Sequence, residues 1–158
     1  MDIHIVFLSG MNEEDTSVFF QKHNWDLLSS KDQIVKKTQL VNINQKPIRV
    51  TLWSLLNTPL IHDLIVTIQT HMKYIVLLYH AHKPITLMRC IGIYNSILKN
   101  KNYTVCILAT HTSKPFTLHD NSINKRLISN LTDIDDKELP HYNTNLKKII
   151  KLIYSIIY

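Results

Sequence analysis

The residues from Gly10 to Ser17 have the spacing of a phosphate-binding loop but lack its side chains. Such a loop follows a buried strand and reads Gly-x4-Gly-Lys-Ser/Thr, so that backbone N–H groups and one lysine surround the phosphates. Here Asp15 takes the place of the second glycine, and Thr16 takes the place of the lysine. The three consecutive carboxylates at 13–15 would also repel a polyanion. The stretch therefore predicts a phosphate loop that has lost its ligand contacts.

Two later loops lack the remaining contacts that a guanine nucleotide needs. After a predicted strand at Ile48–Trp53, Asp-x-x-Gly would hold magnesium and the γ-phosphate, but the chain reads Ser54-Leu55-Leu56-Asn57. After the strand ending at Ala109, Asn-Lys-x-Asp would read the base, but the chain reads Thr110-His111-Thr112-Ser113. Each loss removes a charge-assisted contact worth about 1.5–3 kcal/mol. We therefore predict no tight GTP binding, no hydrolysis and no cofactor.

Other chemistry-bearing residues form weaker patterns. His80 and His82 end one predicted strand and His111 the next, so the three could approach one another as zinc ligands. No cysteine or carboxylate joins them, and loop histidines are the simpler interpretation. The acidic run at residues 133–138 could supply paired carboxylates, but a solvated loop explains it better. We predict no catalytic residue and no metal site.

The composition indicates one folded domain, residues 1–158. Its 158 residues, 45% hydrophobic and 19% charged, suit a single core and exclude a disordered chain. Only two glycines argue against a turn-rich all-β fold. The net charge of +6 permits an acidic partner or nucleic acid, but the basic residues are scattered and no nucleic-acid motif accompanies them. Direct contact with nucleic acid is therefore not expected.

The cysteines and the N-terminal residues indicate in which cellular compartment the protein is expected. Cys90 and Cys106 lie in apolar segments without metal-ligand spacing, which is typical of reduced core thiols. Met1 is not followed by a charged leader with a cleavable apolar region, and no apolar run reaches the ~18 residues of a membrane span. These features predict a soluble, intracellular protein.

Strand-length apolar runs alternate with amphipathic stretches along the chain. Strands are predicted at Ile3–Leu8, Val35–Ile43, Ile48–Trp53, Tyr74–Tyr79 and Tyr103–Ala109, with a short one near Leu131. Helices are predicted at Glu14–His23, Thr86–Leu98, Asn121–Ile128 and Asn143–Ile157, the last with Thr144 as its cap. Pro47 suits a turn, and residues 60–68 fit either a helix or an irregular stretch. This alternation predicts an α/β domain with a mostly parallel central sheet flanked by helices.

The spacing of these segments resembles a Ras- or Rab-type small GTPase domain, and particular strings are most similar to the centromere protein M (CENP-M) family. The denser similarities lie at Tyr74-Ile75-Val76-Leu77-Leu78 with His82-Lys83, and at Val105-Cys106-Ile107-Leu108-Ala109-Thr110. Fainter ones lie at Val6-Phe7-Leu8-Ser9-Gly10, at Arg49-Val50-Thr51-Leu52 with Ser54-Leu55, and at Asp133-Ile134. The family has the GTPase fold without nucleotide binding.

The resemblance implies a structural, non-enzymatic subunit of the inner kinetochore in the nucleus. Such a subunit would dock on the helical-repeat protein CENP-I beside CENP-H and CENP-K. Two alternatives stay open. The chain could be a divergent small GTPase with weak residual nucleotide binding, or a Rab-like decoy with another protein partner.

Two apolar groups are candidates for a partner surface. The final helix carries more apolar residues than one buried stripe needs, and the excess predicts an exposed patch at Leu152, Ile156 and Tyr158. The second group is Trp53, Leu55 and Leu56, at the loop where Asp-x-x-Gly would stand in a small GTPase. Aromatic anchors often dominate interfaces, yet these side chains could equally plug the vacated nucleotide cavity.

Overall fold

The computed structural model describes residues 2–25, 34–56, 63, 65–66, 73–99, 103–110, 140–142 and 145–157. Within these ranges the chain forms six strands and three α-helices. In chain order they are β1 (Asp2–Ser9), α1 (Glu13–Lys22), β2 (Ile34–Ile43), β3 (Lys46–Leu56), β4 (Tyr74–His80), α2 (Pro84–Ile93), β5 (Thr104–Thr110), β6 (His141–Tyr142) and α3 (Leu146–Ile157). A π-helical turn, Tyr94–Leu98, extends α2.

All six strands belong to one sheet, in the order β2-β3-β1-β4-β5-β6. β1 lies at the centre and pairs in parallel with both β3 and β4. β4, β5 and β6 are also parallel, and only the pairing of β2 with β3 is antiparallel. The predicted α/β fold with a mostly parallel central sheet is therefore confirmed.

The described helices cover both faces of the sheet. On one face, α2 packs through Leu87, Cys90 and Ile91 against side chains of β1, β3, β4 and β5. On the opposite face, α1 and α3 both pack over the alternate residues of the same strands. Every residue of β4 is buried, as expected for a parallel strand covered on both sides.

The β2–β3 hairpin corrects the prediction for Pro47. The turn is formed by Asn44 and Gln45, whose φ angles of 51° and 66° give the left-handed conformation of a two-residue hairpin loop. Pro47 lies inside β3, opposite Asn42. β1 pairs with β3 only from Arg49 onward, so no neighbour on that side needs the N–H that proline lacks.

Three predicted boundaries also move. β3 continues to Leu56 because Ser54 and Leu55 pair with Phe7 and Leu8 of β1, so these residues are strand rather than loop. α2 begins at Pro84, since proline is favoured in the first helical turn. α3 begins at Leu146, where the Asn145 carboxamide accepts the Lys148 N–H at 2.9 Å and caps the helix.

Several predictions fall outside the described residues. They are the helix at 121–128, the strand near Leu131, the acidic run at 133–138, the helix cap at Thr144, and His111, Asn57, Ser113 and Tyr158.

Candidate functional site at the carboxyl edge of the sheet

The loops after β1 and β4 leave neighbouring strands towards opposite faces of the sheet. β1 leads into α1 on one face, and β4 leads into α2 on the other. In open α/β sheets, ligands bind in the crevice that this divergence creates beyond the carboxyl ends of the strands. The side chains around Gly10 and Lys83 therefore define the candidate site.

The loop after β1 is short and closely covered. Only residues 10–12 separate the end of β1 from the first turn of α1. A β-carbon on Gly10 would collide with the Thr86 carbonyl oxygen and would lie 2.9 Å from the Cys90 sulfur. The Gly10 carbonyl also accepts a hydrogen bond from the Arg89 guanidinium at 3.3 Å. Gly10 is thus required for the close approach of α2, which occupies the space above the loop.

Two N–H groups at the start of α1 have protein partners. Asn12 caps the helix: its side-chain oxygen accepts the Asp15 N–H at 2.8 Å, and its carbonyl accepts the Thr16 N–H at 3.1 Å. Acidic side chains at Glu13 and Glu14 complete this turn. Their charges favour the positive end of the helix dipole and oppose a bound anion there.

Thr16, which stands where a phosphate loop has its lysine, points into the protein. It is 4% exposed, and its hydroxyl donates to the Asn12 carbonyl at 2.7 Å. A hydroxyl has one proton, so in the 2.7 Å contact between the Ser9 and Thr16 hydroxyls Ser9 is the donor. Ser9 Oγ in turn accepts the Met11 N–H at 3.1 Å. This closed network fixes the loop from inside, and the neighbouring Ser17 is half-buried.

An ion pair crosses the crevice. Lys83, in the loop after β4, lies with its Nζ 3.0 Å from Oδ2 of Asp15 in α1. Asp15 takes the place of the second glycine of a phosphate loop, so a carboxylate faces the position that such a loop offers to a phosphate. The pair ties the two diverging loops together across the candidate site.

The loop after β4 is held by Thr86 and by two histidines. The Thr86 hydroxyl accepts the His80 N–H at 2.9 Å and donates to the Lys83 carbonyl at 2.6 Å. His80 Nδ1 accepts the His82 N–H at 3.1 Å, which makes Nδ1 the unprotonated nitrogen of a neutral ring. Within the described part of the chain, no group of three or more His, Cys, Asp and Glu residues could hold a metal ion.

The remaining loop positions that the structure describes lie in strands of the sheet. Ser54 and Leu55 are buried within β3, and Thr110 ends β5, where its carbonyl accepts the Ala81 N–H at 2.7 Å. Trp53 is 8% exposed in the core under α2, its indole N–H donates to His4 Nδ1 at 3.3 Å, and Lys36 lies 4.9 Å from the ring centroid. Trp53 and Leu55 are therefore core residues in this structure, not an exposed surface. For Leu56 only the strand position is described.

The apolar patch predicted on the last helix borders a small groove. Leu152 is half-buried, and Ile156 is 55% exposed. Both line a crevice of about 40 Å³ beside the first residues of β4 and β5, together with Tyr74, Cys106 and Tyr142. Burial raises the pKa of the Cys106 thiol to about 12, so this thiol is protonated in the groove.

Sequence reasoning missed Lys83, Asn12, Ser9 and Arg89 as parts of the site. The cap at Asn12 could have been predicted, because asparagine directly before an acidic first turn is a standard helix cap. The contact of Lys83 with Asp15 joins residues far apart in the chain, and a single sequence carries no signal for it.

Comparison with known proteins adds no relative: no family model and no curated protein sequence matches this chain. Among the described helices, none combines the length and the apolar composition that a membrane crossing requires.

Proposed function

We propose that this chain is a non-catalytic protein-binding domain with a small-GTPase-like fold and no nucleotide site. The sheet order, with β1 central and β2 as an antiparallel edge strand, is compatible with that fold. Because one fold can host many unrelated functions, the function is argued from the site.

The observation that carries the proposal is the position of Thr16. A nucleotide site needs a cation at this point, and the chain has a buried hydroxyl committed to Asn12 and Ser9. The ion pair of Lys83 with Asp15 and the close approach of α2 to Gly10 support the same conclusion, because they occupy the crevice with protein groups. In this proposal Trp53 and Leu55 belong to the core that fills the domain.

A binding role is supported by the groove beside α3. Ile156 is an exposed aliphatic side chain next to an apolar crevice, an arrangement typical of contact surfaces. We therefore place the partner at Leu152 and Ile156, with Tyr158 as the next position of this patch in the sequence.

The resemblance to the CENP-M family gives the proposal its specific form. In that form the chain is a nuclear, centromeric subunit of the inner kinetochore, docked through the α3 patch on a CENP-I-like helical-repeat protein with CENP-H and CENP-K. This part rests on the sequence strings quoted above together with the missing nucleotide contacts around the crevice.

Two measurements test the proposal. Titration of a fluorescent GTP analogue with Mg²⁺ should give no saturable binding in the micromolar range, and micromolar affinity would instead favour the divergent small GTPase.

Affinity purification of the tagged chain should recover a CENP-I-like protein. Ile156→Asp should abolish that recovery while circular dichroism stays unchanged, and Val18→Asp, which alters an exposed aliphatic residue on α1, should leave it intact.

Recovery of a different protein through the same patch would favour the decoy alternative. Equal recovery with Ile156→Asp and with the unchanged protein would contradict the proposed surface.

A further inference from the structure

A second surface lies where α3 passes beside the β2–β3 hairpin, on the side of α3 away from Ile156. Two consecutive cavities of about 460 and 570 Å³ open along this line. The first lies between the end of α1, the outer residues of β2 and the start of α3, and the second lies between the hairpin turn and the middle of α3. We call the two together the basic trough; its lining residues used below are Lys22, Trp25, Leu40, Asn42, Lys147 and Lys151.

The described residues that line the basic trough carry charge of one sign. Lys22, Lys147 and Lys151 are exposed at its walls, and no carboxylate occurs among the described residues that line either cavity. The Asn24, Asn42 and Asn145 carboxamides add hydrogen-bonding groups without charge. The chain as a whole carries a net charge of +6. A ligand that complements this surface is therefore anionic.

The floor of the trough argues against nucleic acid as that ligand. Trp25 is only 4% exposed, and Leu146 and Ile150 beside it are buried as well. Proteins that bind single strands use exposed aromatic faces on which bases stack. The other described aromatic rings of the trough, His23 and Tyr154, are half-buried, so none of its described aromatic side chains is in the exposed class. Three lysines are also few for a phosphate backbone, whose affinity grows with the number of neutralised charges.

The edge of β2 favours a peptide. β2 is the outermost described strand on its side of the sheet. Ile43 and Lys46 flank the two-residue turn, so Ile43 and Val41 exchange main-chain hydrogen bonds with β3. The main-chain N–H and C=O groups of Asn42 and Leu40 therefore point away from β3, towards the open edge of the sheet. These outward groups lie beside the first cavity, which Leu40 and Asn42 line. An extended peptide can pair with them, which a nucleic acid cannot do.

We propose that the basic trough binds an extended acidic segment of a partner protein, with its main chain along β2 at Leu40 and Asn42 and its carboxylates facing Lys22, Lys147 and Lys151. This inference deepens the proposed function as a protein-binding domain and names the chemistry of one partner segment. It is independent of the nucleotide question and of the Ile156 patch.

The test uses a fluorescein-labelled peptide of alternating glutamate and valine, whose glutamates share one face when the peptide is extended. The matched probes are the same peptide with glutamine for glutamate and an oligothymidine of equal charge. At physiological ionic strength the acidic peptide should bind saturably, and the combined variant Lys147→Glu, Lys151→Glu should weaken binding about tenfold or more. The control Lys148→Glu reverses one charge on an exposed residue of the same helix outside the trough, and should change affinity less than about twofold, whereas Lys147→Glu and Lys151→Glu taken singly should each weaken binding more than this control does.

Four results would overturn the inference. They are the absence of saturable binding, equal loss in Lys148→Glu, equal affinity for the glutamine peptide, or tighter binding of the oligothymidine. The outcome is separable from that of the proposed function, since GTP binding would defeat the latter and leave these peptide affinities unaffected.

Discussion

Lys83 Nζ lies 3.0 Å from Asp15 Oδ2, and this contact joins two loops that leave the sheet in opposite directions. The Lys83 side chain is 52% exposed and that of Asp15 26% exposed, so water and salt screen the pair. The pair therefore adds little to the free energy of unfolding.

Double substitution should measure that small contribution. Asp15→Asn and Lys83→Met should each lower the free energy of unfolding by less than about 1 kcal/mol, with a coupling energy of about 0.5 kcal/mol. Urea denaturation of the two single variants and the double variant gives the coupling. It should fall further in high salt, and a salt-independent coupling above about 2 kcal/mol would show a buried pair instead.

The two glycines of the chain form a matched test. Gly10→Ala should lower the free energy of unfolding by about 1–3 kcal/mol, because the new β-carbon collides with the Thr86 carbonyl. Gly92 is in α2 with nothing within 4 Å of its built β-carbon, so Gly92→Ala should stabilise by about 0.5–1 kcal/mol. Thermal or urea unfolding measures both. Equal effects of the two substitutions would show that α2 does not press on the loop.

A feature of the fold or of the candidate site can be predicted from the sequence when it depends on residues that are neighbours in the chain. The runs Tyr74–Tyr79 and Tyr103–Ala109 predicted β4 and β5 to within a residue or two, because a strand buried on both faces is continuously apolar. Pro47 was misassigned because its place in a strand depends on where β1 stops pairing. Likewise, the absence of a lysine at position 16 is visible in the sequence. The burial of the Thr16 hydroxyl, and the cover that α2 provides over Gly10, depend on tertiary contacts.

The two thiols should differ in reactivity although both are protonated. Burial raises the pKa of Cys90 and of Cys106 to about 12, which leaves about one thiolate in ten thousand at pH 8. Cys90 is fully buried and donates to the Leu78 carbonyl at 3.3 Å, while Cys106 is half-buried at the groove. With Ellman's reagent at pH 8, Cys106 should react slowly and Cys90 only on unfolding. Cys90→Ser and Cys106→Ser assign the phases, and the reverse order would contradict the packing of α2 on β4.

His23 should make the fold sensitive to mild acid. Its pKa is lowered from the ordinary 6.5 by burial first and by the charge of Lys22 second. The unfolded chain therefore binds a proton at a higher pH than the native protein does, and stability falls as the pH drops below about 6.5. His23→Gln should reduce the difference between the free energies of unfolding at pH 7 and pH 5. An unchanged difference in His23→Gln would contradict the expectation.

The contact of Gly10 with the Thr86 carbonyl has a consequence for any attempt to build a phosphate site into this loop. The substitution Thr16→Lys would place an ammonium group at a buried position, beside a loop that the backbone of α2 already covers. A phosphate group placed against Gly10 would meet the Thr86 carbonyl at the start of α2. A new cation in the loop would therefore need a shift of that helix before it could hold such a ligand.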